Sequence, residues 1–361
     1  MPRLTIDLRT YRNSGIGRYL QNLVPQLLPL LTADSIRVVT RPGLLGEAAW
    51  LSDTRLQIVE TTAAVYSPQE QLLGLRGLWG SPDLLWIPHY NAPLYHRGRM
   101  VVTIHDIAPI ALPALLDSEL KRRYARLLIE RAAAQASALL TVSEFTAGEL
   151  VAKLGVERCK ITVTHPGLDA GWPTQAEPHR EADGCPYLLF VGNVKPNKNL
   201  TRLLEAFAQV AGRLPHRIVI AGRVHGLGTG DAAVLRQAAN MGDRVRFAGE
   251  VSDAELIQLY AGAAALVLPS VYEGFGLPLL EAMQLDCPVL VSNAGSLPEV
   301  AGDAALYFDP HDASSLAQSL LAVLDARRMN ALRSAGRRRL EQFSYARCAA
   351  DTAPVLNHLL G

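Results

Sequence analysis

The segment Tyr272-Glu273-Gly274-Phe275-Gly276-Leu277-Pro278-Leu279-Leu280-Glu281 sets two carboxylates in an E-x7-E spacing, one in a glycine-rich turn and one inside the apolar helix that follows. Pro278 suits the first helical position, where a missing N–H costs nothing. Gly274 and Gly276 let the backbone approach a ligand closely. The N–H groups at the helix start favour an anion. The apolar run Ala265-Leu266-Val267-Leu268 precedes the turn, so the segment falls at the carboxyl end of a strand, where open α/β sheets bind ligands. Together these features read as a sugar-nucleotide site: amides for phosphate, Glu273 for sugar hydroxyls and Glu281 for ribose hydroxyls. The plainer alternative is a strand–turn–helix with two exposed glutamates. The Gly-Phe-Gly-Leu-Pro insert and the companion motifs below argue against it.

Around this segment, short β-rich runs alternate with helical patterns, which predicts parallel sheets with helices on both faces. In the first half, strands are expected near 3–9, 36–40, 56–60, 83–87, 100–105, 137–143 and 160–164, and helices at 17–32, 67–79, 117–135 and 145–154. Residues 169–186 are polar and turn-rich, as a linker would be. Strands resume at 187–192 and recur near 216–221, 244–248, 264–268, 287–291 and 304–308. The expected fold class is α/β, with two Rossmann-like domains facing each other across a cleft. Residues 1–170 are expected to form the first domain, 171–341 the second, and 342–361 a helical segment that returns to the first. A chain of 361 residues suits two such domains.

Composition narrows the function. Hydrophobic residues make up 49% and charged residues 19%, as in a globular chain with large cores. A net charge of +1 gives no bulk attraction for nucleic acid. Cys159, Cys185, Cys287 and Cys348 form no C-x-x-C pair and suit neither zinc nor a disulfide framework. They read as reduced, mostly buried thiols of a cytosolic protein. No D-x-D cation site stands out, so no metal is expected. Met1-Pro2-Arg3-Leu4-Thr5-Ile6-Asp7 enters a strand without a signal-peptide core, and no run approaches the ~18 apolar residues of a membrane span. The expected location is cytoplasmic, with the inner face of the cytoplasmic membrane as a variant.

Three further motifs sit at strand ends. Ser14-Gly15-Ile16-Gly17-Arg18-Tyr19 follows the first strand and opens a helix, with Gly17 at its start. It offers a second anion-ready turn, or only a tight turn. It is not the dinucleotide fingerprint, because Leu20 stands where that pattern needs glycine. Val101-Val102-Thr103-Ile104-His105-Asp106 ends a strand with a His–Asp pair. His105 suits a sugar hydroxyl, or alternatively a backbone partner in the core, while Asp106 fixes the loop after it. In Val191-Gly192-Asn193-Val194-Lys195-Pro196-Asn197-Lys198-Asn199-Leu200, Lys195 and Lys198 place cations at a helix start. That arrangement opposes the helix dipole unless an anion is present, and so it argues for phosphate.

These motifs fall in the order seen in the retaining family-4 glycosyltransferases of the two-Rossmann-domain GT-B fold, which the chain resembles over nearly its whole length. Leu140-Thr141-Val142-Ser143-Glu144-Phe145-Thr146 matches the family's V-S-x-x-S/T element. The resemblance implies an acceptor-binding role for the first domain and a donor-binding role for the second. The resemblance implies that Glu273 contacts donor-sugar hydroxyls, with amides of Phe275, Gly276 and Leu277 close to the sugar and diphosphate. It implies Glu281 on the ribose, Lys198 on the diphosphate, and Gly17 against the β-phosphate. His105 is implied beside the anomeric carbon or the 6-hydroxyl. Gly15, Asn193, Lys195, Arg223, Val251 and Gly274 complete the implied donor set. Asn193 stands where many members carry arginine, so Arg223 or Lys195 is expected to supply that charge. His165-Pro166-Gly167-Leu168-Asp169 also departs from the usual Asn-Gly before an aspartate.

The implied chemistry is glycosyl transfer with retention, without metal or other cofactor, from a nucleoside diphosphate sugar to a saccharide or polyprenol-linked acceptor of surface polysaccharide synthesis. The G-x-x-x-P-x-K-N form of the lysine loop resembles mannosyltransferases, which favours GDP-mannose; UDP-glucose and UDP-N-acetylglucosamine stay open. Two other classes compete: a UDP-sugar 2-epimerase-like isomerase and an inactive nucleotide-sugar-binding protein. The basic amphipathic stretch Leu120-Lys121-Arg122-Arg123-Tyr124-Ala125-Arg126-Leu127-Leu128 reads either as a solvated helix face or as a dock for an anionic membrane through Lys121, Arg122, Arg123 and Arg126. A second cluster, Arg333, Arg337, Arg338 and Arg339, reads as a solvated face.

Overall fold

The computed structural model describes residues 1–12, 14–71, 77–116, 118–169, 171–224 and 231–361. The chain divides into two compact units. The first comprises Met1–Ile110, Ser118–Ala170 and Phe343–Gly361; the second comprises Ala111–Asp117 and Gly171–Gln342.

The first unit holds β1 (Arg3–Asp7), β2 (Ser35–Thr40), β3 (Leu56–Glu60), β4 (Leu84–Ile87), β5 (Arg99–Ile104), β6 (Ala138–Thr141) and β7 (Ile161–Val163). They pair in parallel in the order β3-β2-β1-β4-β5-β6-β7. The second unit holds β8 (Tyr187–Val191), β9 (Arg217–Ala221), β10 (Val245–Gly249), β11 (Ala265–Leu268), β12 (Val289–Ser292) and β13 (Ala305–Phe308). These pair in parallel in the order β10-β9-β8-β11-β12-β13. Every residue of β4, β11 and β12 is buried, as expected for strands covered on both faces. Strand order reverses between β1 and β4 in one sheet and between β8 and β11 in the other. Ligand crevices of open α/β sheets lie at the carboxyl ends of such switch points.

Each sheet is covered by amphipathic helices. In the second unit, Leu200–Val210 buries Leu203, Leu204, Phe207 and Val210 in a core shared with Phe190, Ile218, Ile220 and Val267. In the first, Glu119–Gln135 contributes Ile129, Ala132 and Ala133 beside Leu85, Val102 and Ile104. The last helix, Tyr345–Leu360, packs on Ser14–Leu27 and buries Cys348, Ala349, Thr352 and Leu356. Ser344 caps it by accepting from Arg347 N. Gly167 lies so close to Ser344 that a Cβ would sit 2.4 Å from its backbone. This close approach explains the glycine in the departing His-Pro-Gly segment.

Several expectations need correction. Residues 111–116 belong to the second unit, with the turn Pro113–Leu115 against Pro196–Lys198. Only Pro68–Gln71 of the helix expected at 67–79 is helical among the described residues, and 72–76 lie outside them. Cys159 is exposed and Cys185 partly so; only Cys287 and Cys348 are buried. The second arginine cluster is not merely solvated. Arg333 Nε donates to Asp286 O, Arg337 pairs with the Asp286 carboxylate, and Arg339 donates to the carbonyls of Val300 and Glu299. These guanidinium groups tie the helix Ala326–Leu340 to the loop before β12 and to the end of the helix Leu297–Ala301.

Candidate functional site

At the carboxyl ends of β8 and β11, two loops of the second unit are laced together. Val271 N donates to Asn197 O (2.9 Å), and Asn197 Nδ2 donates to Tyr272 O (3.2 Å). Asn199 adopts a left-handed φ of 57°. Its side chain holds that conformation by donating to Pro269 O (3.1 Å) and Pro310 O (2.8 Å). Lys198 is thereby brought onto Glu273, with Nζ 2.5 Å from Oε1. Ser270 Oγ, fully buried, donates to the same Oε1 at 2.6 Å. The side chains of Lys198 and Glu273 are only 20% and 13% exposed, so the pair is better shielded than most surface ion pairs.

The main chain at Glu273 is fixed from the far side. Ser296 N lies 3.2 Å from Glu273 O, and Ser296 Oγ lies 3.0 Å from Glu273 O and 2.8 Å from Phe275 O. Gly295, at φ 65°, passes so close that a Cβ would meet Glu273 N at 2.8 Å. Gly276, at φ 103°, turns the chain into the helix Leu277–Gln284 as its N-cap. Pro278 therefore occupies the second helical position rather than the first, and its missing N–H is still one the helix leaves unpaired. The Leu277 amide opens the helix at the same turn as Glu273, whereas Pro278 has no N–H and Leu279 N donates to Gly276 O at 2.9 Å.

Glu281 is not an exposed glutamate. It is 4% exposed, and Tyr260 OH donates to its Oε2 at 2.8 Å. Trp172 Nε1 donates to its carbonyl, and the Trp172 and Tyr260 rings meet edge to face at 6.2 Å. Lys195 caps the turn Pro196–Lys198, with its carbonyl accepting from Lys198 N at 2.9 Å. Gly192, at φ 145°, ends β8 where a Cβ would lie 3.7 Å from Lys198 Cε. Asn193 Oδ1 accepts from Arg223 N. The guanidinium of Arg223 pairs with Glu250 at an exposed position, just before Val251 at the end of β10. The structure thus brings Lys198, Glu273, Gly274, Phe275, Gly276 and Leu277 together, while Arg223 sits in an ion pair of its own.

In the first unit, the helix begins at Ser14, so Gly17 lies in its first turn rather than at its start. A Cβ on Gly17 would meet Tyr11 O and Arg12 C at 2.8 Å, whereas Gly15 has open space. Gly17 is therefore required by its own preceding loop. His105 directly follows β5, with Nε2 3.0 Å from Pro88 O and the Tyr19 ring edge-on at 4.9 Å. Because a carbonyl only accepts, Nε2 carries the proton and Nδ1 is the acceptor. Burial lowers the His105 pKa to about 4, against the opposing effect of the Pro88 hydrogen bond, so the ring is neutral near pH 7. Thr146 Oγ1 donates to His105 O, and Thr146 N donates to Ser143 Oγ; the V-S-x-x-T element thereby positions His105. Asp106 Oδ1 accepts from Ala108 N and fixes the following turn.

A buried polar group beside these residues was not singled out by the sequence. Arg9 spans Asp7 and Glu70, Glu70 accepts from Asn91 and from Tyr66 N, and Tyr66 OH lies 2.7 Å from His89 Nε2. Burial lowers the His89 pKa to about 3, and His105 nearby adds to the shift. The hint was Pro88-His89-Tyr90-Asn91, a polar run directly after a fully apolar strand. In the second unit, Ser270, Asn197, Asn199 and Ser296 were also missed; small polar residues flanking charged ones were the available signal.

On the basic helix, Arg122 and Arg123 pair with Glu119, and Arg126 pairs with Glu130. Leu120 and Leu127 are 78% and 41% exposed, while Leu128 is buried. The apolar positions therefore split between core and surface. No helix among the described residues is long and apolar enough to cross a membrane.

Comparison with known proteins adds to this geometry. Residues 14–172 match the family model Glycosyltransferase Family 4, and residues 173–339 match Glycosyl transferases group 1. The chain is 28% identical to O-antigen chain mannosyltransferase B of Escherichia coli, over 95% of each chain. It is 32% identical to O-antigen chain mannosyltransferase RfbU of Salmonella typhimurium, over 77% of this chain and 74% of the relative. Among solved structures, Anabaena HepE in complex with UDP and glucose shares the fold, with a TM-score of 0.73 at 17% identity over 99% of this chain and 100% of that one.

Proposed function

The chain belongs to the family-4 glycosyltransferases of the GT-B fold, and from that premise we propose that it transfers mannose from GDP-mannose, with retention, to a saccharide or polyprenol-linked acceptor of surface polysaccharide. The observation that carries this reading is the Lys198–Glu273 pair beside the glycine turn that opens the helix Leu277–Gln284. Mannose is favoured because two relatives spanning most of this chain are named O-antigen mannosyltransferases. In this reading Lys198 and the amides of the turn Phe275-Gly276-Leu277 stabilise the diphosphate as it leaves and gains charge, without a metal ion. The bond from the anomeric carbon to the phosphate oxygen breaks, and a bond to the acceptor oxygen forms on the same face. The acceptor's proton passes to the departing phosphate oxygen. Glu273 orients the sugar through its hydroxyls, Glu281 serves the ribose, and His105 Nδ1 accepts from a sugar hydroxyl. The protein works in the cytoplasm, and the helix Glu119–Gln135, with five basic against two acidic residues and an exposed Leu120, docks on anionic membrane.

A thermal-shift panel of nucleoside diphosphates and their sugars tests the donor assignment, since a ligand bound by the native state raises its stability. GDP and GDP-mannose should shift the melting temperature most. A larger shift with UDP and its sugars overturns the choice of base.

A further inference from the structure

We propose that Glu273 also governs discrimination between the donor and the spent nucleoside diphosphate, through its contact with Lys198; this rests on the assignment of Lys198 to the diphosphate made above. Both partners are held in place by the protein itself. Asn197 and Asn199 fix the lysine loop, and Ser296 and the close pass of Gly295 fix the Glu273 main chain. Ser270 pins Oε1, the oxygen that also meets Lys198. A phosphate that engages the Lys198 ammonium therefore competes with Glu273 for it, or shares it and lies close to a second negative charge. In either case the carboxylate counts against the phosphate.

The two ligands differ in what offsets that cost. A nucleotide sugar brings hydroxyl donors to the Glu273 carboxylate as its diphosphate draws on Lys198. The bare nucleoside diphosphate brings only the phosphate. Glu273 thus strengthens binding of the donor and weakens binding of the product at one stroke, which favours release of the product after transfer. If Glu273 only contacted the sugar, its removal would weaken the donor and leave the product unchanged.

The test is calorimetric titration of GDP and GDP-mannose into the wild type, Glu273→Gln and Lys198→Ala. Glu273→Gln keeps an acceptor for Ser270 and removes the charge. It should bind GDP about three- to five-fold tighter, the scale of a partly exposed ion pair, and GDP-mannose more weakly. Glu273→Ala should shift GDP in the same direction, which covers the case of a poorly folded glutamine variant. Unchanged or weaker GDP binding in both variants, with Lys198→Ala still weakening GDP, overturns the discrimination role and leaves the diphosphate site standing. Unchanged GDP binding in Lys198→Ala overturns the site assignment itself.

Discussion

Gly295→Ala probes the site from a residue that has no side chain and no proposed ligand contact. Gly295 has φ 65°, and a Cβ there would lie 2.8 Å from Glu273 N and 3.1 Å from Glu273 O. The left-handed conformation alone costs a non-glycine residue about 1–2 kcal/mol. The clash adds to this, because its partner is backbone that Ser296 holds in place, so the total should reach about 2–4 kcal/mol. For a unit of this size that corresponds to a fall in melting temperature on the order of 5–10 °C. Relief of the contact must displace Glu273, and small misplacements of a positioning group are expensive in rate. Transfer at saturating donor should fall at least about tenfold. Gly184→Ala is the control: φ is 71° and nothing lies within 4 Å, so it should lose stability from conformation alone and keep full activity. Differential scanning calorimetry and initial-rate assays measure the two effects. If Gly295→Ala is as active as Gly184→Ala and no less stable, the packing of Gly295 on Glu273 does not position the site.

Three other outcomes are expected. Tyr260→Phe removes the donor to the buried Glu281 carboxylate and should cost about 1.5–3 kcal/mol by urea unfolding, with weaker binding of GDP; no change in either would leave the Tyr260 hydroxyl without a role. The pKa values of His105 and His89 lie at about 4 and about 3, below the ordinary 6.5, so the unfolded chain takes up these protons first as pH falls. The stability tied to both neutral rings is present above pH 6.5 and declines toward pH 4, by up to about 1.4 kcal/mol per pH unit for each, and imidazole NMR signals that titrate near 6.5 would contradict this. Changing Lys121, Arg122, Arg123 and Arg126 to glutamine should reduce co-sedimentation with anionic vesicles by about 1 kcal/mol per residue at low salt, with turnover of a soluble acceptor retained; unchanged co-sedimentation would make the helix an ordinary solvated face.

The strands were legible because parallel strands buried on both faces read as short apolar runs; Leu84–Ile87, Ala265–Leu268 and Val289–Ser292 are such runs. The turn at Gly276 was legible because its φ of 103° and the tight fit against Leu297 call for glycine. What escaped depends on contacts between distant positions. Lys198 and Glu273 are 75 residues apart, and nothing local to either announces that they meet. The Glu281–Tyr260 bond and the Arg9–Glu70 pair are of the same kind. The arginines of Ala326–Leu340 looked solvated because Arg333 and Arg339 reach backbone carbonyls, which any sequence supplies, and Arg337 pairs with Asp286, 51 residues away. The resemblance implies Gly17 against a β-phosphate, and the structure adds a steric reason within its own loop, which no local pattern shows.

Retaining transfer from a nucleoside diphosphate sugar is proposed for the site built on Glu273 and Lys198. Its most direct test is incubation of the purified protein with GDP-mannose and a saccharide acceptor, with the anomeric proton of the new glycoside followed by NMR and with Glu273→Ala run alongside. The expected product is an α-mannoside, retaining the donor's configuration, formed also in excess EDTA, with turnover lowered on the order of 10²-fold or more in the variant. A β-mannoside, or a variant as fast as the wild type, would contradict it.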